Sequence, residues 1–316
     1  MGVPGVANYP NYTYGGPGSP GNAWIPVLFS GKLLYKFYDK TVLAQIATTD
    51  YVGVLKNVGD RVVIRTLPSI TIKDYKRGAT LELEYPESPA IEFVVTKAKY
   101  FNFAIDDIDI KQSDISWIDK LADDAAQQIK IKIDTEALAT LYTKVDANNQ
   151  GAQAGVKSRA FNLGTATQPV QLTADNIIDY IVDCKTVLDE QNIPEDGRWM
   201  VLPPIFVNLL EKAGLKKAMF TNVEGARGLT RGGWFSTIAG FDLYESNLVA
   251  TSTFGTNQKY YNILFGWKGS VVFVAQIDKT ERYRPQNTFA EAMKGLIVYD
   301  YDVILPKGVG LLRAYK

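Results

Sequence analysis

The chain has 316 residues, 46% of them hydrophobic, enough for one elaborate domain or two ordinary ones. Its 34 basic and 34 acidic side chains cancel, which argues against strong sequence-independent nucleic-acid binding, where a basic excess neutralises phosphates. No histidine occurs and Cys184 is the single cysteine. Ser/His/Asp and Cys/His nucleophile systems, an internal disulfide framework and the commonest metal ligand are therefore excluded.

No Gly-x-x-x-x-Gly-Lys-Ser/Thr loop and no Cys-x-x-Cys pair is present. The N-terminus has no charged-then-apolar leader, and no run of about 18 apolar residues occurs anywhere in the sequence, so neither secretion nor a membrane span is expected. Residues 1–22 are rich in Gly, Pro, Asn and Tyr, a composition that builds no core and suits an extended arm. Ser30 is placed to cap a helix running to about Ala47, with Leu33, Leu34, Phe37 and Leu43 on its apolar side.

From 61 to 109 the pattern is strand-like. Val62 and Ile64 alternate with Val63 and Arg65, and Ile70 and Ile72 flank Thr71. Glu82 and Glu84 alternate with Leu81, Leu83 and Tyr85, while Pro68, Gly78, Pro86 and Pro89 punctuate the stretch and place its strands at edges or bends. Ile91, Phe93 and Val95 form one apolar face, which Lys97 and Lys99 interrupt and Phe101, Phe103 and Ile105 resume. Fifteen such residues reach roughly 50 Å, too far for the small core of one chain, so a partner on a neighbouring molecule is expected.

Ser116 and Asp119 resemble a capping box, with aspartate in place of the usual glutamate. Ile118, Ala122, Ala125, Ile129, Ile133, Ala137 and Leu141 then step by three and four, opposite Asp123, Asp124, Gln127 and Lys130. This predicts an amphipathic helix of about seven turns, roughly 40 Å long. Residues 146–169 read as an irregular crossing. Thr173 opens a helix to about Glu190 in which Cys184 joins the spacing of Ile177, Ile181 and Leu188, a small core residue rather than a reactive one.

The turn at Pro194-Glu195-Asp196-Gly197 leads to a short buried strand, Trp199 to Leu202, and Pro203-Pro204 opens a helix to about Ala213. Residues 221–233 form a glycine-rich loop carrying Glu224, Arg227 and Arg231. Strands follow at 241–244 and 261–265. Two more, 296–305 and 309–315, flank Pro306-Lys307-Gly308 and predict a terminal hairpin. Helix, turn, strand and helix in succession indicate an α+β body around a small sheet.

This order of elements resembles the major capsid proteins of tailed bacteriophages with the Hong Kong 97-like fold. The match covers essentially the whole chain. Residues 1–29 resemble the family's N-terminal arm, 61–103 its extended two-stranded loop, and 116–144 the long spine helix of its peripheral domain. Arg198-Trp199-Met200-Val201-Leu202-Pro203-Pro204 resembles the axial α+β domain's strand followed by a proline-opened helix. Ile238-Ala239-Gly240-Phe241-Asp242-Leu243-Tyr244-Glu245-Ser246-Asn247 resembles a second recurrent phrase of that domain, and 296–315 would complete the peripheral sheet.

The resemblance implies an N-terminal arm and helix at 1–50, an extended loop at 51–105, a peripheral domain with spine helix at 106–150, an axial domain at 151–275 and peripheral return strands at 276–316. It implies no enzyme, no cofactor and no metal, but a homo-oligomer of hexamers and pentamers closing into an icosahedral shell around double-stranded DNA held without sequence-specific contact. A portal protein is a further partner, a decoration protein another, and the shell would assemble in the host bacterial cytoplasm. Fewer than sixty residues precede the extended loop, which implies a separate scaffolding protein or none.

Subunit contacts are expected at Lys73, Asp74, Tyr75, Lys76, Arg77, Glu82 and Glu84, with Glu82 and Glu84 set to pair with Lys97 and Lys99 across subunits. Glu224, Arg227 and Arg231 would approach the ring axis. The family's founding member joins a loop lysine to an asparagine. Lys73, Lys76 and Asn287 are the corresponding candidates, but solvated lysines are the simpler reading. Two alternatives stand beside this one: an encapsulin-type nanocompartment shell, and an unrelated enzyme with paired carboxylates. Asp106, Asp107 and Asp109 are the densest acidic group and would be its hard-cation candidates, although acids are ordinary at a helix start.

Overall fold

The computed structural model describes residues 38–49, 61–65, 70–74, 77–78, 80, 83–85, 90–112, 117–220 and 237–316. The expected arm at 1–29, Tyr75, Lys76, Glu82 and the glycine-rich loop at 221–233 lie outside them.

In chain order the elements are α1 (Leu43–Ile46), β1 (Arg61–Arg65), β2 (Ala90–Val94), β3 (Lys97–Asp106), α2 (Asp107–Gln112) and α3 (Trp117–Leu141). Next come β4 (Val170–Gln171), α4 (Ile177–Glu190), β5 (Arg198–Leu202), α5 (Pro204–Phe220), β6 (Thr237–Ile238), β7 (Phe241–Glu245) and β8 (Thr251–Phe254). Four long strands follow in part or whole: β9 (Gln258–Trp267), β10 (Val271–Tyr283), β11 (Ala290–Val303) and β12 (Val309–Tyr315).

A seven-stranded mixed sheet runs β4-β12-β9-β5-β7-β6, with β8 paired to β9. Its central strands are apolar at successive positions because both faces are covered. From β5, Met200 and Leu202 enter a core with α4 and α5, whereas Trp199 and Val201 enter a second core with α3. The same alternation sends Ile263 and Phe265 of β9 one way and Leu264 the other. In β12, Leu312 and Ala314 oppose Val309 and Leu311. Cys184 sits in the α4/α5 core with no exposure, and burial pushes its thiol well above the ordinary range. The expectation of a small core residue is met.

The second sheet is antiparallel, ordered β10-β11-β3, and lies against the α3 side through Tyr299, Tyr301 and Val303. One apolar layer thus joins both sheets to the C-terminal half of α3, where Ile129, Ile133, Ala137, Leu138 and Leu141 are buried. Nearer its start Ile118, Ala122 and Ala125 are only half-buried, so the predicted apolar face is realised fully in the second half alone. Asp123, Gln127 and Lys130 are exposed as expected. At 25 residues the helix is about 37 Å long, close to the predicted rod.

Several expectations are corrected. Of the helix expected over 30–47, the described part is helical only at Leu43–Ile46, because Asp134 of α3 takes the amides of Val42 and Leu43 and fixes the chain as a short turn. Neither 70–74 nor 83–85 is a strand. The helix expected from Ala174 begins at Ile177, with Asn176 rather than Thr173 at its start, and α5 continues past Ala213 to Phe220.

The C-terminal strands do not form a hairpin. Strand β11 pairs with β10 and β3, whereas β12 pairs antiparallel with β9 and parallel with β4. The short 3-10 turn Pro306–Gly308 redirects the chain from one sheet to the other. A strand buried on both faces, as β12 is, belongs inside the larger sheet rather than at an edge.

Candidate assembly surfaces

Strands β1 and β2 form an isolated antiparallel ribbon, paired from Arg61↔Val94 to Arg65↔Ala90. A two-stranded ribbon is marginal by itself. Here its root is fixed by Phe93 and Val95, which are buried with Val272, Val274, Val298 and Ile304. The far end is different. Ile70 is 67% exposed, Ile72 91%, Leu83 77% and Tyr85 81%. Thr71 donates its amide and hydroxyl to the two Glu84 carboxylate oxygens at 3.1 and 3.2 Å, tying the two limbs together.

Lys73, Asp74, Arg77 and Glu84 are exposed. Among the described residues between 70 and 85 none is buried on its own chain. That arrangement is costly for four large apolar side chains unless another surface covers them.

The reach of the strand stretch is shorter than the sequence implied, because 97–106 pair with β11 of the same chain along their whole length. Lys97 and Lys99 are likewise engaged in cis, not across subunits. Their ammonium groups lie 3.0 and 2.8 Å from the Glu136 carboxylate on α3, which also accepts from the Tyr299 and Tyr301 hydroxyls at 2.9 and 3.4 Å. The Lys97 ammonium lies 3.8 Å from the Tyr301 ring centroid, a cation–π contact.

Partial burial works against the Glu136 carboxylate, but Lys99, Lys97 and Tyr299 outweigh it and hold its pKa down to about 2. Burial also lowers Lys97, yet Tyr301 and Glu136 bring it above its ordinary value, and Lys99 is raised chiefly by Glu136. The two lysines that break the apolar face were thus a legible signal of an acidic partner. Which acid it was, 37 residues from Lys99, was not legible.

At the far end of the β10–β11 hairpin, Arg284 pairs with Asp107 at 3.5 Å and with Glu291 at 3.1 Å, and Arg282 pairs with Asp119. Phe289 is 86% exposed beside them. Asp106 accepts the Ile108 amide at 2.9 Å, which makes it a helix-start residue, and Asp107 is engaged by Arg284. Among the described residues, no group of three His, Cys, Asp or Glu is placed to hold a metal ion. Asn287 is exposed in the same hairpin turn.

Asp134 was not anticipated. It is 5% exposed and accepts the Val42 and Leu43 amides at 2.5 and 3.1 Å. Burial raises its pKa while the two amides pull the other way, and burial prevails.

A family model described as phage capsid protein matches residues 91–311. Among solved structures, one from Mycobacterium phage Che8 is 24% identical, with a TM-score of 0.72 over 92% of this chain and 97% of that one. The capsid structure of cyanophage P-SCSP1u is 16% identical, with a TM-score of 0.67 over 93% and 94%. The asymmetric unit of the bacteriophage PhiM1 mature capsid is 14% identical, with a TM-score of 0.63 over 92% of each chain. Among curated proteins no match was found. These likenesses show the fold, an α+β architecture of the Hong Kong 97-like kind.

Proposed function

The chain belongs to the phage capsid protein family, and from that membership we propose that copies of it form hexamers and pentamers that close into an icosahedral shell around a double-stranded DNA genome. Its role is structural, self-assembly into a capsid, and the family match favours this over a nanocompartment shell or an unrelated enzyme. The observation that carries the reading is the ribbon and loop, anchored at Phe93 and Val95 but bare at Ile70, Ile72, Leu83 and Tyr85.

Interfaces of permanent assemblies commonly exceed about 2,000 Å² in total, which a compact body alone supplies with difficulty. A loop laid on a neighbour adds that area. The apolar side chains give most of the adhesion, whereas Lys73, Asp74, Arg77 and Glu84, with Tyr75, Lys76 and Glu82 of the same loop, set register. Ring closure follows if each copy uses the same head-to-tail contact.

In this reading the three-stranded sheet with α3 is the peripheral part and the seven-stranded sheet with α4 and α5 is the axial part. The loop carrying Glu224, Arg227 and Arg231 then faces the ring axis. A net charge of zero suits a wall that holds DNA without gripping it. Portal and decoration proteins, a separate scaffolding protein and assembly in the host bacterial cytoplasm complete the proposal.

Size-exclusion chromatography and negative-stain electron microscopy of the purified protein test it. Rings or closed shells are expected, and deletion of 67–89 should leave folded subunits that no longer assemble. A monomer at high concentration, with or without co-expressed scaffolding protein, would overturn it. Particles that form but exclude DNA during packaging would point instead to the nanocompartment reading.

A further inference from the structure

On its β2 side the ribbon joins the body through two residues. Strand β2 ends at Val94 and, among the described residues, pairs with β1 alone; β3 begins at Lys97 and pairs there with β11 alone. Between them stand Val95, which is 2% exposed in the apolar root, and Thr96. Continuing the β3–β11 register from Lys97↔Tyr299 would place Thr96 opposite Asp300. At this point the pairing passes from backbone to side chain. The Thr96 amide and hydroxyl both donate to Asp300 Oδ2 at 2.9 Å, and Asp300 Oδ1 accepts the Tyr301 amide at 2.8 Å.

A carboxylate that is 7% exposed is an expensive way to continue a strand, since a valine there would be buried without desolvation cost. What the carboxylate adds is direction. Two donors of one residue converging on one oxygen restrain the backbone of Thr96 as well as its side chain, and a two-residue joint has few other dihedrals to restrain. Beyond the joint, Lys97 and Lys99 bind Glu136 and hold the start of β3 to α3, so the clamp is referenced to the long helix.

We propose that Asp300 is a positioning residue: by holding Thr96 it sets the angle at which the β1–β2 ribbon leaves the three-stranded sheet, and thereby the direction in which one copy's loop meets the next. The second half of this inference rests on the shell reading above; the first does not.

The test reads the angle in the unassembled subunit. Spin labels go on Ile72→Cys, on the exposed loop, and Lys132→Cys, on the exposed side of α3. The buried Cys184 stays in place and unreactive. Pulsed electron double resonance should give one narrow distance distribution in this background. Asp300→Val should at least double its width. Asp300→Asn, whose amide oxygen still accepts, should fall between, and Thr96→Val, which keeps the shape and the amide, should broaden it measurably if the Asp300 variants fold poorly. In assembly trials the same substitutions should convert shells of one diameter into a mixture of diameters and open sheets.

A broad distribution in the unsubstituted background, or an unchanged width in folded Asp300→Val and Thr96→Val, overturns the proposal. Widths that change while shells of one diameter persist refute its second half. Widths that change in a chain that never assembles refute the shell reading and leave the clamp standing.

Discussion

Replacing Glu136 by glutamine removes the charge that binds β3 and β11 to α3 and takes from Lys97 and Lys99 the carboxylate they share. The displacement of the carboxyl from its ordinary 4.5 to about 2 corresponds to about 3 kcal/mol in a fully shielded site. The side chain is 35% exposed, so solvent screening reduces this by half or more, to about 1–1.5 kcal/mol. The group is depressed in the folded state. Its contribution is therefore complete above pH 4.5 and is lost as the pH falls from 4.5 towards 2.

Urea denaturation of the subunit, followed by tryptophan fluorescence, should show Glu136→Gln less stable by that amount at pH 7. Near pH 2.5 the two proteins should nearly coincide, because the parent has lost most of the same term. All other carboxylates titrate equally in both, so the difference isolates this one. A gap that stays constant from pH 7 to 2.5, or no gap at pH 7, would refute the argument.

Three further outcomes follow from named contacts. Asp134→Ala strands two buried amides and should cost about 2–3 kcal/mol, with limited proteolysis cutting first near Val42 to Ala47. Gly310→Ala, near the start of β12, would drive a methyl carbon into the buried Phe265 ring, and the repacking should lower stability by about 1–3 kcal/mol in thermal or chemical melts. Ile72→Asp with Leu83→Asp changes only exposed positions, so subunit stability should stay within about 0.5 kcal/mol while particle formation in electron micrographs is lost; normal shells from that variant would remove the loop's apolar residues from the interface.

The elements most legible in the sequence were those written in local periodicity. The three-and-four spacing from Ile118 to Leu141 specified a long helix, and the unbroken apolar run Trp199 to Leu202, followed by paired prolines, specified a strand buried on both sides and the start of a helix. Both follow from constraints within one or two turns of chain. The exposed state of Lys73, Asp74, Arg77 and Glu84 was equally readable from a charged, proline-bounded stretch.

The choice of partners was not readable. Lys97 and Lys99 were expected to meet acids of another copy and instead meet Glu136; 296–305 and 309–315 looked like the limbs of one hairpin, but β11 and β12 enter different sheets. Asp134 and Asp300 carry no local mark at all, since each acts on a residue more than ninety positions away. Periodicity specifies which face of a segment must be covered. Backbone amides and carbonyls are the same in every strand, so which strand or carboxylate does the covering is settled only when the whole chain packs and its apolar layers close against one another.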